Sequence, residues 1–261
     1  YGDHRDLHLS IRRQRQMCIR DRSTIVKTST TKKLQCLNYK FYKQHAADFS
    51  DSRNYSQPGI VRSLKMLGAY NSLLDIGCGN GRVLLEANKT QSKYKYVGID
   101  FSAEMMSNAP ICSNAIFICL DITSHNWMTR FQKPFDVTVC FSVLHHIPGQ
   151  KNRLQVLNNI YKTLKPGGYC AISVWQFLEA TRLRRKIVPW ETVGLTKQSV
   201  EDADYLIDWK RGDYGIRYVH HFSPRSLINL CKVAGFQVEK SFHSDGKNDN
   251  LGLYMMLRRP N

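Results

Sequence analysis

The chain has 261 residues, 42% of them apolar, which fits one large domain with or without an appendage at roughly 150 residues per domain. Its 38 Lys and Arg against 21 Asp and Glu leave a formal charge of +17. That surplus suits polyanionic partners, nucleic acid above all, although solubility alone is served by the same balance. No apolar run approaches the roughly 18 residues of a membrane helix, and no secretory signal pattern opens the chain, so a cytoplasmic protein without a membrane span is expected.

Residues 1–35 are polar, basic and aperiodic, and disorder is expected there. The run Arg13 to Arg22, RQRQMCIRDR, resembles a translated sequencing adapter, and on that reading it says nothing about function; a nucleic-acid-binding arm is the functional alternative. Residues 1–22 hold six Arg and three Asp, so the remainder still carries +14. From residue 36 to 261 one domain is expected. Tyr39, Phe41, Tyr42 and Ala46 mark a first helix, and Ile60, Leu64 and Leu67 a second that starts at Pro58.

Strands are then expected at Ser72–Ile76, Tyr94–Asp100, Ala115–Leu120, Phe135–Phe141 and Tyr169–Trp175. Helices are expected between them at Gly81–Lys89, Ala103–Asn108 and Lys151–Leu164. Short apolar strands separated by helices predict a parallel sheet covered on both faces. Residues 176–215 break the rhythm and read as an insertion after strand five. A helix at Pro224–Val233 and strands at Phe236–Phe242 and Leu251–Leu257 close the domain. The eight cysteines include no C-x-x-C pair, so they read as reduced thiols and no metal is expected.

The chemistry begins at Leu73-Leu74-Asp75-Ile76-Gly77-Cys78-Gly79-Asn80-Gly81, a buried strand entering a glycine-rich turn and then a helix. Glycines let backbone approach a ligand closely. Arg82 breaks the dinucleotide pattern G-x-G-x-x-G, and no Lys-Ser or Lys-Thr follows, so a Walker phosphate loop is excluded. Asp100 ends the second strand, where a carboxylate can accept hydrogen bonds from a ribose. Asp75 at the tip of strand one favours a cationic group. Asp121, after the third strand, can meet an exocyclic amine. Ligands of open parallel sheets bind at the carboxyl ends of the strands, so the three acids converge on one crevice.

Together with FDVTVCFSVLHHI (Phe135–Ile147) and LKPGG (Leu164–Gly168), this layout resembles the class I S-adenosylmethionine-dependent methyltransferases. The resemblance implies a Rossmann-like α/β fold: a seven-stranded, mostly parallel sheet with helices on both faces. It implies S-adenosyl-L-methionine as cofactor, held by Asp75, Gly77, Cys78, Gly79, Asn80, Gly81 and Asp100. Phe101, Ser102, Asp121, Ile122 and Ser142 are implied beside them, and Arg53 closing over the cofactor with Tyr42.

FYKQHAADFSDSR (Phe41–Arg53), VLHHI, VPW (Val188–Trp190), RYVHHFSPRSLINLCKVAGF (Arg217–Phe236) and Asp249-Asn250 resemble one branch of that family, the wobble-uridine tRNA methyltransferases. These esterify a carboxymethyl group in the anticodon loop. Leu251 departs from the aromatic residue common after Asp-Asn, and the insertion is short. The branch implies tRNA as substrate and a small activating protein that covers a sheet edge. His146, Arg217 and His220 are the candidate catalytic anchors for the acceptor carboxylate. Trp175 and Tyr218 are candidates for base stacking, and Arg182 to Lys186 for phosphates. Each has a structural alternative: loop capping for His145 and His146, core packing for Trp175, structural roles for His220 and His221, and a solvated face for Arg182 to Lys186. Two other functions share the cofactor site, a small-molecule methyltransferase and a non-catalytic S-adenosylmethionine-binding module.

Overall fold

The computed structural model describes residues 26–51 and 57–261. Seven strands carry the fold: β1 (Ser72–Ile76), β2 (Lys95–Asp100), β3 (Ala115–Cys119), β4 (Phe135–Phe141), β5 (Leu164–Trp175), β9 (Gln237–Ser244) and β10 (Gly252–Arg258). They form one sheet in the order β3-β2-β1-β4-β5-β10-β9. The first five pair in parallel, and β10 alone runs antiparallel to both its neighbours. β1, β4 and β5 were legible because each holds an apolar run buried on both faces, whereas β3, at the sheet edge, is only partly buried.

Alternate residues feed two cores. Leu74, Ile76, Cys140 and Ile172 pack with Val156, Leu157 and Ile160 of α6 (Gln150–Thr163) and Leu227 and Leu230 of α8 (Pro224–Val233). On the other face Leu73, Val137 and Val139 meet Ile60 and Leu64 of α3 (Pro58–Leu67) and Val83 and Leu84 of α4 (Arg82–Asn88). The strand order reverses about β1, which leaves a crevice at its carboxyl end between β2 and β4.

Two features depart from expectation. The segment expected to be disordered is helical from Thr28 onward: α1 spans Thr28–Gln44, followed by α2 (Ala46–Asp51). Its buried residues Thr30, Thr31, Leu34, Asn38 and Phe41 keep helical spacing, but most are polar, so no apolar periodicity announced them. Leu34 is fully buried, a burial that stabilises by about 2 kcal/mol. Residues 1–25, with the adapter-like run, lie outside the described residues.

The second departure is a three-stranded antiparallel sheet between β5 and α8. It comprises β6 (Ile187–Val188), β7 (Asp204–Trp209) and β8 (Gly215–His220), after the short helix α7 (Thr181–Arg184). Leu34 of α1 packs on it with Trp190, Val200, Leu206 and Tyr218. The small sheet thus supports α1, and α1 roofs the crevice. No helix among the described residues is long and apolar enough to cross a membrane.

Candidate functional site

The glycine loop is fixed by backbone bonds: the Gly77 and Cys78 N–H groups donate to the Ile99 carbonyl at 2.8 and 3.1 Å. Gly77 has φ +72°, and a Cβ there would lie 2.2 Å from Cγ2 of Val143. Only a residue without a side chain fits between β1 and the loop after β4. At Gly81, φ +75° starts α4, and a Cβ would lie 2.8 Å from Pro110.

Two carboxylates flank this loop. Asp100 accepts from the Gly79 and Ser102 N–H groups at 2.9 and 3.0 Å. Burial nevertheless raises its pKa above the ordinary carboxylate value. Asp75 is 1% exposed and accepts from the Tyr96 hydroxyl at 2.6 Å. Burial pushes its pKa up to about 7, against the pull of that bond and of Arg82. A buried carboxylate held at the edge of ionisation is a receptor for a cation. Burial, with Asp75 and Asp100 nearby, drives the Cys78 thiol far above its usual pKa, so Cys78 is an inert wall of the loop.

The crevice is lined by Asp75, Gly77, Cys78, Gly79, Asn80, Asp100, Phe101, Asp121, Ile122 and Ser142, ten of the expected cofactor residues. Ser142 is held at φ +59°, a conformation rare without glycine, with its N–H donating to the Ser173 carbonyl at 3.0 Å. Asp121 closes its own turn by accepting from the Thr123 N–H and hydroxyl, both at 2.8 Å. Gly81 and Ser102 are absent from the lining. Gly81 starts α4, and Ser102 is buried as the N-cap of α5 (Ala103–Met106), accepting from the Met105 N–H at 3.2 Å. Arg53 lies outside the described residues.

Sequence reasoning missed most of the roof. Gln35, Asn38, Tyr39 and Tyr42 of α1 face the crevice, yet of these only Tyr42 carried a functional expectation. Tyr39 is 50% exposed and lies 5.5 Å from Phe101, ring to ring. Asn80 ties the glycine loop to α2 by donating to the Ser50 hydroxyl at 2.9 Å. The signal was the spacing 35, 38, 39, 42, one helical stripe, but its residues are polar or amphipathic and read equally as a solvated face.

The three expected catalytic residues separate. His146 lines the crevice. Its Nδ1 lies 3.0 Å from the Tyr218 carbonyl, which can only accept, so Nδ1 carries the proton. In the neutral ring Nε2 therefore accepts from the Tyr42 hydroxyl at 2.8 Å. Asn38 fixes this arrangement, donating to the His146 and Tyr218 carbonyls at 3.0 and 3.1 Å and accepting from the Tyr218 N–H at 2.7 Å.

Arg217 is 3% exposed and stands behind Tyr42, to which it hydrogen-bonds, outside the crevice lining. Its guanidinium lies over Trp175, Phe41 and Trp209 at 4.4, 5.1 and 5.6 Å from the ring centroids. Burial lowers its pKa from the ordinary arginine value, and the aromatic faces offset part of the lost hydration.

His220 belongs to a different cluster and does not line the crevice. Its Nδ1 lies 2.7 Å from Asp204, which also accepts from the Tyr218 hydroxyl at 2.7 Å, while Arg153 pairs with Glu201. Glu201, Asp204 and His220 bring three potential metal donors together, but the Arg153 guanidinium supplies the cation there. Tyr218 is fully buried, so the expected base stacking by its ring is ruled out. Trp175 stacks on His145 at 5.2 Å rather than facing the crevice. Arg182, Arg184 and Arg185 are exposed.

The sheet order and the crevice at its switch point define a class I S-adenosylmethionine-dependent methyltransferase. The chain belongs to the methyltransferase-domain family, which matches residues 41–241. Relatives include the tRNA (carboxymethyluridine(34)-5-O)-methyltransferases of Schizosaccharomyces pombe and Arabidopsis thaliana. The former is 28% identical over 212 residues, covering 76% of this chain and 87% of the relative. The latter is 26% identical over 171 residues, covering 66% of this chain but only 38% of the relative. The chain spans well under half the length of several curated relatives.

Among solved structures, the N-methyltransferase NodS of Bradyrhizobium japonicum, in complex with S-adenosyl-L-homocysteine, superposes with a TM-score of 0.58 at 15% identity. It covers 86% of this chain and 100% of that one. A methyltransferase in complex with the Haloferax volcanii Trm112 methyltransferase activator gives 0.59 at 15% identity, covering 84% of this chain and 96% of that one. At these identities the likeness is one of fold.

Proposed function

We propose that the protein transfers the methyl group of S-adenosylmethionine to the carboxymethyl group of the wobble uridine in tRNA. The residues of the crevice fit the cofactor: a loop that a Cβ would block, a buried carboxylate at Asp75 for its cationic end, and Asp100 for its ribose. Phe101 and Ile122 offer apolar walls for its adenine, with Asp121 at the rim. When bound, the cofactor supplies an electrophilic sulfonium methyl.

The observation that carries the acceptor reading is the Tyr42–His146 pair on the crevice wall, with the Arg217 cation behind Tyr42. A carboxylate acceptor is ionised at neutral pH and needs placement, not a base. The Tyr42 hydroxyl can turn its proton from His146 to such an anion, and Arg217 holds the phenol oxygen in place. His220, inside its own network, keeps β7 and β8 in register beneath these residues. The fission-yeast relative named for this activity supports the reading, as does the charge of +14 that remains outside residues 1–22.

A small activating protein is part of the proposal, supported by the Haloferax methyltransferase described with its activator. The sheet edge β3 exposes Ile116, 61% accessible, and the preceding loop exposes Ile111. This apolar edge is available to such a partner.

The test is nucleoside mass spectrometry on tRNA bearing carboxymethyluridine, incubated with the protein, an activator of the Trm112 type and isotopically labelled cofactor. Labelled methyl ester in the wobble nucleoside is the expected result. Unlabelled tRNA beside labelled metabolites in a cell extract would overturn the acceptor assignment and leave the methyltransferase standing.

A further inference from the structure

Helix α1 has a third face, beyond the one packed on the small sheet and the one over the crevice. Its 17 residues include Lys32, Lys33, Lys40 and Lys43 and no Asp or Glu. All four lysines are exposed. At about 100° per residue, Lys32, Lys43, Lys40 and Lys33 fall at about 0°, 20°, 80° and 100° on one arc. On the same wheel Tyr39 sits about 20° to the other side of Lys32, followed by Gln35 and Tyr42, which line the crevice. The lysine face therefore begins where the lip of the crevice ends, and exposed Tyr39 stands at the boundary.

We propose that this face is a phosphate-binding surface that lays the backbone of an RNA strand along α1, with Tyr39 at the lip meeting an unstacked base. The proposal rests on the tRNA reading above and names the surface that reading needs. A solvated helix face is ordinarily mixed in sign, with acids four residues from lysines. Here that compensation is missing within the helix. One acid reaches the face from another element, Glu104 of α5, which interacts with Lys43, while Lys33 donates to the Gly194 backbone carbonyl at 3.3 Å. The latter bond anchors one ammonium without neutralising it. Four cations spread over about 16 Å of the helix axis, from Lys32 to Lys43, suit the repeat of a polyanion better than a single small ligand. Aromatic stacking beside a basic track is the usual way single-stranded RNA is held.

The test is binding of fluorescently labelled tRNA across a salt series, for the full chain and for Lys32→Gln/Lys33→Gln/Lys40→Gln/Lys43→Gln. Lys65→Gln/Lys151→Gln/Lys162→Gln/Lys232→Gln, four exposed lysines on other helices, serves as the charge-matched control. Each phosphate contact contributes about 0.7–0.9 to the slope of log affinity against log salt, so loss of four should flatten that slope by about three. Cofactor affinity by calorimetry should stay within about twofold, since none of the four lines the crevice. An unchanged slope with tRNA still bound and methylated would overturn the lysine face and leave the tRNA reading intact. Absence of tRNA binding and methylation by the unaltered protein would remove both. A loss confined to vesicles of anionic lipid, with tRNA binding unaffected, would assign the face to a membrane surface and refute the RNA proposal.

Discussion

Replacing Asp75 by asparagine should stabilise the protein at neutral pH while weakening its hold on the cofactor. The carboxyl is 1% exposed and its pKa stands at about 7, against an ordinary 3.8. Between those values the folded state holds a proton that the unfolded chain has released. Stability therefore falls as pH rises through this window, and the full penalty is present above about 7. Three pKa units at about 1.36 kcal/mol each make it on the order of 4 kcal/mol. The amide introduced by Asp75→Asn carries no charge to bury, and its oxygen can still accept from the Tyr96 hydroxyl. Denaturant unfolding at pH 5, 6, 7 and 8 should show the variant's advantage growing with pH. In melting experiments about 2–4 °C per kcal/mol applies at this size. Adding S-adenosylmethionine should narrow the gap, because the wild-type carboxylate then gains a cationic partner. A variant less stable than wild type throughout, or an advantage independent of pH, would refute the claim that Asp75 is held at the edge of ionisation.

Three further outcomes follow from the geometry. Gly77→Ala places a methyl group 2.2 Å from Val143 at positive φ, so calorimetry should register no cofactor binding; retained affinity would mean the loop has room. Asn38→Ala removes three hydrogen bonds at about 1 kcal/mol each. Methyl transfer should fall by about 10²-fold through misplacement of His146, cofactor affinity should hold, and the ¹⁵N spectrum of His146 should lose its Nδ1–H signature. An intact tautomer with reduced activity would reject Asn38 as its positioning residue. Burial lowers the His220 pKa below 6.5, so the unfolded chain takes up a proton first as pH falls, and stability declines below about that value. His220→Gln should flatten this acid limb of the unfolding curve, and a limb of unchanged steepness would place the loss elsewhere.

The half of the crevice proposed for the cofactor was legible because backbone builds it. Gly77 and Gly79 admit few alternatives once the strand before them is recognised, and Asp75 and Asp100 stand where apolar runs stop. The acceptor half was not legible in the same way. Arg217 and His220 are polar residues of one β-strand, Arg217 in its middle and His220 at its end, and from sequence both looked available for chemistry. One sits among Phe41, Trp175 and Trp209 and the other between Asp204 and Glu201. Neither environment exists until β8 pairs with β7 and α1 packs across them. Helix α1 was hidden for a related reason: its buried face includes Thr30, Thr31 and Asn38, which carry no hydrophobic period.

This division has a chemical consequence. Asp75, the glycine loop and Asp100 are fixed by β1 and β2, whereas Tyr42, Asn38 and Arg217 come from α1 and β8. The proposed halves meet at the loop after β4, which contributes Ser142, Val143 and His146 to the lining of one crevice. His146 is the joint: its ring is held by the Tyr218 carbonyl and Tyr42, its own carbonyl by Asn38. On the proposed reading, substitutions in α1 or β8 retune which acceptor is taken without moving the residues proposed to hold the methyl donor. The same separation explains why the glycine-loop signature identifies the class of reaction so directly, while the acceptor has to be read from side chains that only the folded chain brings together.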